Sequence, residues 1–133
     1  MGLFFGASAV LTPAPVTVTP GELTIQAPKP ISSADDIMQV YISLGAPTDD
    51  TKQAVSAGKF GLIETGRIDV QVCKSETECL PTTYGGAFLT KDTYGIFFTA
   101  KDTRVRHSTF VAVKIRTAKP LPNATVRWQN YRQ

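Results

Sequence analysis

Histidine occurs once in the 133 residues, as His107, and that scarcity removes most metal and acid–base chemistry at the outset. A nucleophilic site needs a nucleophile, a base and an orienting group. Ser108 follows His107 directly, but neighbours in a strand point to opposite faces, and Arg104 and Arg106 crowd the same stretch. His107 therefore reads as a surface residue at a strand start. Gly-rich phosphate loops are absent: Gly85-Gly86 is a turn signal, with neither Gly-x-Gly-x-x-Gly nor Gly-Lys-Ser/Thr in the chain. EF-hand spacing is absent as well. The Asp35-Asp36 and Asp49-Asp50 pairs stand where Asp caps or turns a chain. The expectation is a protein with no enzyme activity, no cofactor and no metal.

Long apolar runs are also missing. The longest, residues 1–11, is too short to span a bilayer as a helix. It lacks the Lys or Arg of a complete signal peptide, yet ends in Ala7-Ser8-Ala9, the small-x-small pattern of a cleavage site. It reads as an apolar leader or signal remnant, or else as a short apolar first strand or anchor near a membrane. Met1-Gly2 does not continue into a myristoylation pattern, because Gly6 stands where Ser or Thr is required.

Only two cysteines occur, Cys73 and Cys79, and the Lys-Ser-Glu-Thr-Glu between them is wholly polar. The spacing is not that of a zinc knuckle. A hairpin or wide loop could bring the pair within bonding range, so a Cys73–Cys79 disulfide is expected. That favours an oxidising, extracytoplasmic location: periplasmic, secreted or membrane-tethered.

What the chain does have is period-two alternation. Met38, Val40, Ile42 and Leu44 share one face of a strand over 36–44, with Gln39, Tyr41 and Ser43 on the other. Ile68, Val70 and Val72 alternate with Arg67, Asp69 and Gln71. Further strands are expected at 22–26, 60–63, 87–90, 94–100, 108–117 and 124–132. The run 94–100 is the most apolar and is expected to be central. Residues 82–86 and 91–93 read as turns. The one helix is expected over 48–58, capped by Asp49 or Asp50 and closed by Gly58, as a surface crossover. Residues 12–30 carry five of the nine prolines and read as an extended tether or a proline-punctuated edge strand. The β-sandwich domain would then occupy 31–133. Seven or eight short strands with one short helix indicate an all-β antiparallel sandwich, immunoglobulin-like or transthyretin-like in architecture.

Charge is distributed unevenly. Residues 101–133 hold eight Lys or Arg against Asp102 alone, whereas the first hundred residues hold ten acids and six bases. The last two runs are separated by Lys-Pro-Leu-Pro-Asn and are expected to pair with each other. Their outward face would carry Lys114, Arg116, Arg127 and Arg132, with Tyr131 as an aromatic anchor. Trp128 falls on the opposite, core face with Val126. Strands facing water also carry Lys and Arg simply to blunt sheet edges. The leading expectation is a non-enzymatic extracytoplasmic binding or structural module that meets a protein partner or anionic surface through this basic face. The alternatives are a virion or nucleic-acid-associated β protein and a hydrolase with an unrecognised site. Asn123-Ala124-Thr125 matches a glycosylation acceptor.

Overall fold

The computed structural model describes residues 5–11, 16–32, 37–57, 68–101, 108–118 and 120–131. They form ten strands and one helix: β1 (Phe5–Val10), β2 (Val16–Val18), β3 (Gly21–Ser32), β4 (Ile37–Gly45), α1 (Asp49–Ser56), β5 (Ile68–Cys73), β6 (Cys79–Pro81), β7 (Thr83–Leu89), β8 (Tyr94–Lys101), β9 (Thr109–Thr117) and β10 (Leu121–Tyr131).

Alternation decides the layers. In β4 the burial of Met38, Val40 and Ile42 is complete, while their neighbours stay half-exposed. Val70 and Val72 do the same in β5, and Ile96, Phe98 and Ala100 in β8. Each sheet thus has one apolar face, and the two faces close on each other. One sheet runs β1-β10-β4-β8-β7, with β2 continuing along the β1 edge of β10; the other runs β3-β9-β5-β6. Every ladder is antiparallel. Phe110 of β9 meets Trp128 of β10 across the gap, ring centroids 5.2 Å apart, and both are buried.

The all-β antiparallel sandwich is as the alternation predicts, but the strand order is not the immunoglobulin one, in which the last strands share a sheet. Here the pairs nest: β1 with β10, β3 with β9, β4 with β8, β5 with β6, placed alternately in the two sheets. A long hairpin wrapped in this way is a jelly roll. β7 is an added edge strand on β8.

The expected pairing of the last two strands does not occur. β9 pairs with β3 and β5, and β10 with β1, β2 and β4, in opposite sheets. Both have an apolar inner face, and here those faces oppose each other across the core, where Phe110 meets Trp128. Asn123 adopts φ 57 at an irregularity inside β10, so the acceptor motif lies within a strand and not in a turn between strands.

Other differences have local causes. Residues 83–89 form β7 where a turn was expected over 82–86, because Gly85-Gly86 makes a bulge: Gly86 takes φ 140 and the register shifts between Tyr84 and Gly86. β8 is second from its sheet edge, as β10 is from the other, and β4 is the central strand. Its all-apolar look arises because its outer face carries Phe97 as well. The helix is capped by Thr48, whose hydroxyl accepts from the Thr51 N–H at 3.2 Å while the Thr51 hydroxyl accepts from the Thr48 N–H at 2.7 Å; Asp49 and Asp50 occupy its first turn. None of its residues is buried, in keeping with a surface crossover.

Residues 5–10 lie in the sheet as an edge strand, the first-strand reading of the apolar run. Pro28 and Pro30 fall in β3, a sheet edge, where the ladder to β9 is interrupted between Gln26 and Ile31. This is where a strand tolerates proline. The described residues of both segments pair within the sheets of the sandwich. The expected strand at 60–63, His107, Asp35, Asp36, Gly58 and Arg132 lie outside the described residues.

Candidate functional site: two outer sheet faces

Separating β9 from β10 splits the expected basic face. Lys114 and Arg116 stand on the outside of the β3-β9-β5-β6 sheet, and Arg127 stands exposed on the outside of the other. Tyr131 ends β10 opposite Phe5. Trp128 is in the core, as its alternation with Arg127 predicts.

On the first face the register sets Arg116 between Glu22 of β3 and Asp69 of β5. Arg116 donates from Nη2 to Glu22 Oε2 at 3.0 Å. Lys114 donates from Nζ to the Glu76 carbonyl oxygen at 3.1 Å. That carbonyl belongs to the loop that the Cys73–Cys79 disulfide closes; the two cysteines lie opposite each other in the β5–β6 hairpin with Cα atoms 4.0 Å apart. A depression of about 460 Å³ runs along this face past Gln71, Thr83 and Tyr84. Tyr84 packs edge-on against Phe98 at 5.7 Å, and burial pushes its phenol pKa above the usual 10.0. The cations here already have anionic or carbonyl partners.

The opposite face is built differently. Its rows read Thr125, Ser43, Gly95, Phe88 and then Arg127, Tyr41, Phe97, Gly86 across β10, β4, β8 and β7. Three aromatic rings therefore stand on the side of the sheet away from the core. Tyr41 stacks on Phe97 at 5.5 Å and meets Phe88 edge-on at 5.6 Å. Glycines make room for them. A Cβ on Gly85 would strike the Phe97 ring, and one on Gly95 would strike the Ile42 carbonyl oxygen and come within 3.0 Å of Phe88. The Tyr41 hydroxyl donates to Gln39 Oε1 at 2.7 Å, and Gln39 Nε2 donates to Thr99 Oγ1 at 3.3 Å, which holds the ring in place. Beside Tyr41 an open depression of about 580 Å³ is lined by Tyr41, Ser43, Phe88, Thr125 and Arg127, with Thr90 and Thr93 at one end. Arg127 forms no salt bridge with any described residue.

Sequence reasoning identified Arg127 and missed Tyr41, Phe88 and Phe97. The signal was present: Tyr41 alternates with Val40 and Ile42, and Phe97 with Ile96 and Phe98, so both rings had to face outward. What the sequence did not show was that β4, β7 and β8 are neighbours.

Among the described residues no cluster of three or more His, Cys, Asp and Glu is arranged to hold a metal, and no helix is long and apolar enough to cross a membrane. Comparison with protein-family models, with curated proteins and with solved structures gives no match.

Proposed function

We propose that this protein is a non-enzymatic binding module acting outside the cytosol, and that it contacts its partner through the β10-β4-β8-β7 face centred on Arg127 and Tyr41. The supporting observation is the aromatic cluster on the outside of that sheet beside a cation that has no ion-pair partner among the described residues. A half-exposed Tyr beside Arg is the pairing that carries binding energy in interfaces. Of the described basic residues expected to act together, Lys114, Arg116 and Arg127, Arg127 alone belongs to this surface. Lys114 is engaged with the Glu76 carbonyl oxygen and Arg116 with the Glu22 carboxylate, so both have less to offer an incoming anion.

The test is a comparison of faces. Arg127→Glu should abolish capture of the partner, whether protein, anionic polymer or nucleic acid, and Lys114→Glu with Arg116→Glu should leave it within about twofold. Loss in the Lys114/Arg116 variant with retention in Arg127→Glu would reverse the assignment.

The location is proposed from the disulfide, which suits an oxidising compartment. Mass measurement of the native protein with and without reduction and alkylation checks it. Two thiols alkylatable without reductant would place the chain in a reducing compartment.

The jelly-roll strand order favours a second reading, a shell or virion component, since that order recurs in capsid domains. Concentration-dependent assembly into closed particles, followed by light scattering, is the outcome it requires.

A further inference from the structure

We infer that the depression beside Tyr41 takes an acidic sugar, a hexuronate unit of an anionic glycan, with its carboxylate on Arg127. This rests on the reading of the Arg127 face as the binding surface. The depression is about 580 Å³, within the range of small-ligand sites (about 300–1,000 Å³), and is open on one side, as entry of one unit of a chain requires. Its chemistry is mixed in a particular way. One wall is aromatic, formed by Tyr41 and Phe88 and fixed by their contact at 5.6 Å and by the Phe97 ring behind Tyr41. One position is cationic, Arg127, the cross-strand neighbour of Tyr41. The next row supplies two hydroxyls, Ser43 and Thr125, which are themselves cross-strand partners. The Thr90 and Thr93 hydroxyls at the end of the depression donate to the Thr93 and Gly45 carbonyls and serve the turn.

A pyranose with a carboxylate matches this set. Its C–H face is apolar and lies on an aromatic ring. Its hydroxyls pair with Ser43 and Thr125. Its carboxylate accepts a two-pronged hydrogen bond from a guanidinium. A nucleic acid strand fits less well. Tracking a phosphate backbone takes a succession of cations, and among the described residues Arg127 is the one charged residue lining this depression. A neutral sugar would bring no charge to Arg127, which has no ion-pair partner among the described residues.

The probe is a tetramer of galacturonic acid, titrated calorimetrically against the intact protein beside its fully methyl-esterified form and an eight-residue oligo-dT. The acid tetramer should bind at least tenfold more tightly than either. Arg127→Gln should remove that preference, bringing acid and ester to the same affinity. Tyr41→Ala should weaken both forms, and Lys114→Gln with Arg116→Gln should change neither. Unchanged preference in Arg127→Gln would overturn the proposal, as would tighter binding of oligo-dT. If no form of the sugar binds while Arg127→Glu still abolishes capture of a protein or nucleic acid, the ligand class is wrong and the face assignment stands. If nothing that binds depends on Arg127, both fall. Circular dichroism and thermal unfolding of each variant separate lost binding from lost fold, and Arg127→Lys, which keeps the charge without the fork, should retain part of the preference.

Discussion

The two outer faces of the sandwich share one core and differ in what they do with their polar and aromatic groups. The β3-β9-β5-β6 face sets a cation between two acids in one row and ties the next to a loop carbonyl, under a hairpin closed by a disulfide. Its charges are locally answered. The β10-β4-β8-β7 face gathers three rings over glycines, beside one cation without an ion-pair partner among the described residues and two neighbouring hydroxyls. The contrast teaches that residue type alone does not make a contact surface. Arg116 and Arg127 are the same residue in adjacent strands of the sequence, and their neighbours differ: Glu22 and Asp69 for Arg116, Tyr41 for Arg127.

Substitutions can break or sharpen that contrast. The largest effect should come from the core that serves both faces. Trp128→Ala removes the ring that meets Phe110 between the sheets and should cost about 3–5 kcal/mol. Denaturant unfolding should show it, and both faces should be lost together in one transition. A next, smaller effect is specific to the aromatic face. Gly95→Ala drives a methyl group toward the Ile42 carbonyl and the Phe88 ring and should cost about 1–3 kcal/mol. Near-ultraviolet circular dichroism should report the displaced rings while the disulfide hairpin stays intact. Wild-type stability in this variant would mean that the rings do not depend on the glycine. The smallest effect belongs to the charge-paired face. Glu22→Gln breaks a pair whose side chains are 45% and 66% exposed, and solvent screening leaves at most about 0.5 kcal/mol to lose. A change in melting temperature clearly beyond that would show that the paired charges matter more than their exposure allows.

Much of the fold was legible because alternation is a local property. The bounds of β4, β5, β8 and β9 and the core position of Trp128 follow from which residues are apolar at every second place. The helix was legible in position, though its cap proved to be Thr48 because a Thr-x-x-Thr box satisfies two backbone donors that a single Asp does not. The Cys73–Cys79 pairing was legible because a short polar insert lets a hairpin or wide loop bring the two cysteines within bonding range, though the strand at Cys79–Pro81 was not. Gly85-Gly86 misled, since the same dipeptide serves a turn or a bulge and only the partner strand decides which. The pairing of β9 with β10 misled for a related reason: proximity in sequence favours a hairpin, yet each strand had a better neighbour elsewhere.

By itself, then, the sequence determined the class of fold, the longer alternating strands with their inward faces, and the disulfide, because each depends on residues at most a few positions apart. Only the tertiary structure decided the strand order, and with it which outward residues meet. Tyr41, Phe88, Phe97 and Arg127 come from four strands spread over 87 positions, and nothing local in the chain places them together. Register between distant strands does so, and register is set by the burial of the opposite face.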